Sequence, residues 1–277
     1  MSTNSSPPTR TVADWFNAMS TSYAHSTGNT TSTLLTLALS SYLPSTFLTP
    51  STILHDNACG PGTATIAAVT HSGAEPARVE ATDTSPGMIA AAQHTIKAAG
   101  WERVTATVMD SQALEFGDAT FTASITNFST TNMSDPSLMF SEVARTLQSG
   151  GTGLWLGWKR FTVAEMVHEA QRAVKGDGVE LMKVPKAEWM GEGVIAKGVR
   201  KAGLRGVEQR EVSFVVKGEE MEGLRGFMLG GFTKEARSGW TEEELGAWEG
   251  KVDEALGREV ERFGGVRMEA WVVWGTK

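Results

Sequence analysis

The sequence predicts an α/β protein built around a mostly parallel β-sheet. Short β-branched segments alternate with helix-length segments between residues 51 and 160, which is the pattern of repeated β-α-β units. The helical segments end at glycines, as at Gly73 and Gly100, which is typical of helix C-termini. We see no internal repeat, so one sheet domain is expected to cover most of the chain.

The elements are expected in the following order. Residues 1–10, rich in Ser, Thr and Pro, are predicted to be disordered, and residues 11–45 to form a helical lid broken near Gly28. Residues 161–200 are interpreted as a helical insertion, so that 11–277 form a single domain. The predicted strands are 51–57, 77–83, 104–110, 121–128, 151–160, 207–218 and 267–277. The predicted helices are 62–73, 85–100, 135–151 with a Gly-Gly stop, 161–175, 194–204 and 240–265.

Composition argues against several classes of partner. The 277 residues are 40% hydrophobic and carry a formal net charge of -7 without any basic run, so nucleic acid is not an expected partner. Cys59 is the single cysteine, which excludes an intramolecular disulfide and a multi-cysteine metal site. The N-terminus lacks a secretory pattern, and residues 34–43 are too short and polar to span a bilayer. We therefore expect a cytoplasmic protein with a small-molecule substrate, no metal and no membrane partner, and the oligomeric state stays open.

A strand, a glycine-rich turn and a helix start meet in residues 53–69, ILHDNACGPGTATIAAV. Gly60 and Gly62 let a ligand approach the backbone closely because glycine has no Cβ. Asp83 ends the second strand, where an acid can accept hydrogen bonds from ribose hydroxyls, and Asp110 ends the third, where it can hold an exocyclic amine. Since ligands bind at the carboxyl ends of parallel strands, these three strand ends predict an adenosine site.

Two residues near the turn, Thr65 and Asp56, indicate which kind of nucleotide it binds. Thr65 stands where a dinucleotide-binding turn needs its third glycine, which disfavours a nicotinamide oxidoreductase. Asp56 precedes the turn, where a carboxylate would repel a pyrophosphate but suit a ligand with an ammonium and a sulfonium. S-adenosylmethionine meets these conditions, with S-adenosylhomocysteine as its product.

The same segments resemble the motifs of class I S-adenosylmethionine-dependent methyltransferases. HDNACGPGTAT is similar to the first motif, ATDTSPGMIAAA to the second, VMDSQALEF to the third, and residues 125–151 to the fourth and fifth. The resemblance implies a Rossmann-like fold with a seven-stranded mostly parallel sheet, its last strand antiparallel, under an N-terminal helical lid. It is closest to the ubiquinone-biosynthesis-like branch and, within it, to fungal gliotoxin-type thiomethyltransferases of secondary metabolism.

The resemblance also implies roles for individual residues. The methionyl end of the cofactor would be held by Tyr23, Asp56, Asn57, Ala58, Gly60 and Gly62, and the adenosine by Asp83, Thr84, Met88, Asp110 and Ser111. Asn127 and Phe128 would lie beside the sulfonium and the entering substrate. Trp15, Tyr23 and Phe128 are the residues expected to line the substrate side, because aromatic faces attract a sulfonium.

A catalytic base is not evident from the sequence. His25, His55 and Asp135 are candidates, but each has a structural interpretation: a lid surface residue, a packed strand end and a helix N-cap respectively. Two enzymatic functions stay open, which are methyl transfer to an S, O or N nucleophile of a small molecule and a non-methylating reaction such as a cyclisation or pericyclic step. A non-catalytic regulator with this fold is the third possibility, and the intact glycine turn with Asp83 and Asp110 argues against it.

Overall fold

Seven strands form one sheet in the order β3-β2-β1-β4-β5-β7-β6 in the computed structural model. The structure describes residues 17, 20, 27–184 and 186–277. Strands β1 to β5 are parallel to one another, and β7 lies between β5 and β6 and is antiparallel to both. The predicted fold class, with its antiparallel last strand, is confirmed. The strands are β1 Ile53–Asn57, β2 Arg78–Asp83, β3 Val104–Val108, β4 Phe121–Asn127, β5 Leu147–Arg160, β6 Arg205–Val216 and β7 Val266–Thr276.

Eight α-helices in the described residues cover the two faces of this sheet. Helices α1, α2, α5, α7 and α8 pack in one large hydrophobic cluster, and α3, α4 and α6 contribute to the clusters on the other face. Residues of β5 alternate between the faces, with Leu154 and Leu156 in the large cluster and Trp155 in the other. The helices are α1 Thr30–Tyr42, α2 Thr63–Ser72, α3 Pro86–Ala99, α4 Pro136–Thr146, α5 Thr162–Lys175, α6 Val194–Lys201, α7 Glu219–Leu229 and α8 Glu242–Phe263.

Helix α3 shows how local sequence sets the element boundaries next to the site. The Ser85 hydroxyl accepts a hydrogen bond from the Met88 amide, and Pro86 occupies the first turn, where no intrahelical donor is needed. Gly100 ends the helix in the left-handed conformation (φ +69°), and its amide donates to the carbonyls of the last turn. The start of α3 is therefore fixed at the carboxyl end of β2.

The predicted Gly-Gly stop after α4 is wrong. Helix α4 ends at Thr146, and β5 begins at the next residue, so that Gly150 and Gly151 lie within β5. A Cβ on Gly151 would lie 2.9 Å from the Gln148 carbonyl and 3.2 Å from that of Phe121. This glycine is explained by close approach of two backbones where the β4–β5 register shifts, rather than by helix termination.

Helix α7 was not predicted. Of the expected N-terminal lid at 11–45, the structure describes residues 17, 20 and 27–45, which include α1. Trp15, Tyr23 and His25 lie outside the described residues, and the division of 11–277 into lid, core and insertion stays a prediction. Among the described helices, none combines the length and apolarity needed to cross a bilayer. Within the described residues, no three His, Cys, Asp or Glu side chains cluster so that they could hold a metal ion.

Candidate cofactor site

A cavity of about 300 Å³ opens at the carboxyl ends of β1 to β4. From β1 the chain adds β2 and β3 on one side of the sheet, and it then adds β4 and β5 on the other side. The switch point therefore lies between β1 and β4, which is the usual ligand position in open α/β sheets. The cavity wall includes nine of the residues predicted from sequence: Ala58, Gly60, Asp83, Thr84, Met88, Asp110, Ser111, Asn127 and Phe128. The structure therefore brings together residues from four separate strand ends.

The turn after β1 is built from three residues in the left-handed region, Ala58 (φ +54°), Gly60 (φ +54°) and Gly62 (φ +92°). Gly60 lines the cavity, and a Cβ on it would come within 4 Å of no atom in the described part of the chain. Gly62 is the N-cap of α2 and does not line the cavity. Ala58 has a Cβ in a conformation that costs an L-residue about 1–2 kcal/mol, so the turn stores backbone strain at the cavity wall.

Asp83 joins this turn to the start of α3. Its Oδ2 accepts from the Gly60 amide at 2.9 Å, and its Oδ1 accepts from the Ser85 amide at 2.8 Å. Burial raises the pKa of this carboxyl, and the two amide hydrogen bonds oppose that shift. A carboxylate has about four lone-pair sites, so each oxygen retains acceptor capacity for a ligand.

Asp56 lies beneath the turn and does not line the cavity. It is 1% exposed, and its Oδ2 accepts from both the amide (2.8 Å) and the hydroxyl (2.7 Å) of Thr65. Burial raises the pKa of Asp56 to about 6 against these hydrogen bonds, and Oδ1 has no partner among the residues that the structure describes. Thr65, which stands in the third-glycine position, thus serves as the hydrogen-bond partner of a buried acid.

We expect Asp56 to make the protein less stable as pH rises from about 4 to 6. Its folded-state pKa of about 6 exceeds its unfolded value, so the folded state binds more protons in this window and loses stability as they leave. The difference corresponds to about 3 kcal/mol. Between pH 4 and pH 7, the free energy of unfolding measured in urea should therefore fall less, or rise more, for Asp56→Asn, which keeps an acceptor for Thr65, than for the wild type. Equal pH dependence in the two proteins would contradict this account.

His55 and Asn57 are buried within the sheet rather than on the cavity wall. The His55 Nε2 lies 2.9 Å from the Thr82 hydroxyl, and its ring stacks on Phe121 at a centroid distance of 4.9 Å. Burial lowers the pKa of His55 to about 3, so its imidazole is neutral near pH 7. Asn57 donates from Nδ2 to the Thr126 hydroxyl at 3.0 Å. Neither side chain is placed to act on a molecule in the cavity.

The loops after β3 and β4 form the opposite wall. Asp110 is exposed and accepts from the Gln112 amide at 2.9 Å. The Gln112 Oε1 in turn accepts from the Ser134 hydroxyl and the Asp135 amide, each at 2.7 Å. Asp135 itself accepts from the Ser137 amide as the N-cap of α4. Gln112 thus ties the two loops together, a role that sequence reasoning missed because glutamine has no motif of its own at this position.

Two residues at the end of β4 line the cavity and carry buried polar atoms without a partner among the described residues. Asn127 Nδ2 donates to the Thr31 carbonyl at 3.3 Å, and no described residue pairs with its buried Oδ1. Ser129, 8% exposed, has a buried hydroxyl that likewise has no partner in the described part of the chain. Between them, Phe128 adopts φ +55° and packs its ring on Trp158 at 4.3 Å. Sequence reasoning missed Ser129, because a serine after a strand carries no distinguishing signal.

The described lining residues fit an adenosine without phosphates. They include the carboxylates of Asp83 and Asp110 and several neutral polar groups, and among them there is no Lys, Arg or His. Such a wall offers acceptors to ribose hydroxyls and to a cation, but gives no counter-charge to a pyrophosphate. The buried Met88 side chain adds an apolar surface suited to a base.

The fold is similar to that of solved methyltransferase structures. A chain of the Haloferax volcanii Trm112 methyltransferase activator complex is similar with TM-score 0.55 and 20% identity, covering 97% of this chain and 99% of that one. The Haemonchus contortus phosphoethanolamine N-methyltransferase 2, solved with S-adenosyl-L-methionine, has TM-score 0.53 and 17% identity; 88% of this chain aligns with 52% of that chain. This chain thus spans about half the length of the nematode enzyme.

The sequence itself matches a family model over part of its length. Residues 55–151 match the model described as a methyltransferase domain, and these are the residues that build β1 to β4 and the cavity wall after them. No curated protein sequence matches the chain significantly. The domain match supports S-adenosylmethionine as the cofactor predicted from the glycine turn and Asp83.

Proposed function

We propose that this protein is an S-adenosylmethionine-dependent methyltransferase that acts on a small molecule. The observation that carries the proposal is the Asp83 carboxylate, which fastens the Gly60 turn to the start of α3 and keeps acceptor capacity toward the cavity. A methyltransferase-domain match over residues 55–151 supports the same assignment.

The cofactor residues are proposed from their positions on the cavity wall. Asp83 would accept from the ribose hydroxyls, and Met88 with Ser111 would contact the base. The Gly60 backbone and Asn127 would lie at the methionyl end, where an ammonium could donate to the Asn127 Oδ1, which has no partner among the described residues. Asp56 would act from beneath the turn through its charge, since it does not line the cavity.

Methyl transfer from a sulfonium needs little acid-base catalysis by the protein. The bound cofactor supplies an activated methyl group on a sulfonium. The residues of the chain would hold the acceptor in line with the methyl group and exclude water. This would lower the activation free energy of methyl transfer, because the acceptor loses its freedom of motion on binding and not in the reaction step. Phe128 adopts a left-handed backbone conformation and packs its ring on Trp158, and it lines the cavity next to Asn127. Neither His55 nor Asp135 is placed as a base, and His25 lies outside the described residues.

The chemistry of the wall favours an uncharged or cationic acceptor. The described residues of the cavity supply no basic side chain, so an anionic acceptor such as a phosphobase would be bound without a counter-ion. The Ser129 hydroxyl, which has no hydrogen-bond partner in the described part of the chain, could donate to or accept from a neutral polar group. The motif resemblance to gliotoxin-type enzymes makes a thiol of a secondary metabolite the first acceptor to try, because thiols ionise near neutral pH without a strong base.

The test is a methyl-transfer assay with S-adenosylmethionine and neutral thiol, phenol and amine acceptors. Formation of S-adenosylhomocysteine together with a methylated product would establish the proposed function. Tight cofactor binding without transfer to any acceptor would favour a cyclisation or pericyclic enzyme of this fold. Failure to bind either S-adenosylmethionine or S-adenosylhomocysteine in calorimetry would overturn the proposal.

A further inference from the structure

Asn17 lies far from the glycine turn in sequence but reaches the start of helix α3 in the fold. Its Oδ1 accepts from the Gly87 amide and from the Ser85 hydroxyl, each at 2.7 Å. The Gly87 amide is one of the first-turn donors that a helix leaves without an intrahelical partner. Asn17 therefore caps α3 from another part of the chain.

Gly87 makes room for this contact. A Cβ at this position would lie 2.9 Å from the Asn17 Oδ1, 3.1 Å from its Cα and 3.2 Å from its carbonyl oxygen. The φ of Gly87 is not in the left-handed region, so backbone conformation gives no reason for a glycine here. Since glycine weakens a helix, the close approach of Asn17 explains why glycine occupies this position.

Ser85 connects Asn17 to residues that line the cofactor cavity. The Ser85 hydroxyl donates to Asn17 and accepts from the Met88 amide, and the Ser85 amide donates to Asp83. Asp83, Ser85 and Met88 all line the cavity. A change at Asn17 thus acts on the adenosine wall through one serine, without touching the cavity itself.

We propose that Asn17 is a positioning residue for the cofactor, which holds the Asp83–Ser85 wall through Ser85 and Gly87. The inference rests on the proposed function for the identity of the cofactor. Asn17 would thus contribute to cofactor affinity through its Oδ1, which accepts from Ser85 and Gly87. This contact requires that residue 87 has no side chain.

Calorimetry with S-adenosylhomocysteine tests the proposal. Asn17→Ala should weaken binding about tenfold, because the Gly87 amide and the Ser85 hydroxyl lose their acceptor. Asn17→Asp keeps an acceptor oxygen beside a helix N-terminus and should bind within about threefold of the wild type. Gly87→Ala should weaken binding as Asn17→Ala does, and the double variant should be no worse than either single variant. Gly250→Ala in α8, where a Cβ meets no atom within 4 Å, is the matched control and should leave affinity unchanged.

Amide hydrogen exchange tests the same contact without any ligand. The Gly87 amide should exchange at least about tenfold faster in Asn17→Ala than in the wild type, and Asn17→Asp should restore its protection. Unchanged exchange in Asn17→Ala, or additive losses of affinity in the double variant, would overturn the inference. Wild-type protein that protects Gly87 but does not bind S-adenosylhomocysteine would instead overturn the proposed function, so the two failures are distinguishable.

Discussion

Replacing Asp83 with asparagine should weaken S-adenosylhomocysteine binding by about a hundredfold, which corresponds to about 2.7 kcal/mol. The two Asp83 oxygens accept from the Gly60 and Ser85 amides, so an asparagine in either orientation points its NH2 group at one of these donors. The turn and the start of α3 then separate, and the charge-assisted hydrogen bonds to the ribose are lost as well. Isothermal titration calorimetry measures the effect directly.

The control for this variant is Asp177→Asn, which changes the same functional groups at an exposed position in the loop after α5. It should bind S-adenosylhomocysteine as the wild type does. Thermal unfolding of both variants without ligand separates loss of affinity from loss of fold. An Asp83→Asn protein that is folded and binds within about threefold of the wild type would contradict the assignment of Asp83 to the ribose.

Replacing Gly60 with valine should abolish measurable cofactor binding, with a loss of at least about a hundredfold. Gly60 lines the cavity, and a Cβ there would meet no atom of the described residues within 4 Å, so the added side chain would occupy the space of the ligand. The fold should lose only about 1–2 kcal/mol or somewhat more, because φ at this residue is +54° and valine is β-branched. Calorimetry and urea unfolding together measure both effects.

Gly73→Val is a matched control for the backbone strain. Gly73 has φ +68° at the end of α2, and a Cβ there also meets no atom within 4 Å, but the residue does not line the cavity. The two variants should lose similar unfolding free energy, while Gly73→Val retains its affinity. Equal affinities of the two variants would show that the cofactor does not approach Gly60.

The sheet could be predicted because its signals are local. Strands β1 to β4 are five to seven residues long and contain β-branched residues, and α2 and α3 end at glycines in the left-handed conformation. Helix α7 has acidic residues in its first turn and Gly230 at its end, but its N-cap Gly218 provides no side-chain cap, and Gly223 and Gly226 weaken the helical pattern within it. Its formation depends on packing, since Leu224 and Met228 are buried in the main hydrophobic cluster.

The candidate site was predictable where it follows strand ends and not where it depends on distant contacts. Asp83 and Gly60 lie on the cavity wall because parallel strands end at one edge of the sheet. By contrast, sequence spacing could not show that Thr65 would pair with Asp56 and draw it beneath the turn. The contact of Asn17 with Gly87 spans 70 positions, and no local pattern encodes it.

The position of β7 between β5 and β6 has a consequence for synthesis on the ribosome. Residues 161–265 separate the end of β5 from the start of β7, so β5 is made long before the strand that pairs with it. Until β7 emerges, the nascent chain carries β5 as an open edge, and β6 has not yet joined the sheet through β7. The half-finished protein is thus prone to pair with other chains, and a chaperone that shields β5 at this stage would raise its yield.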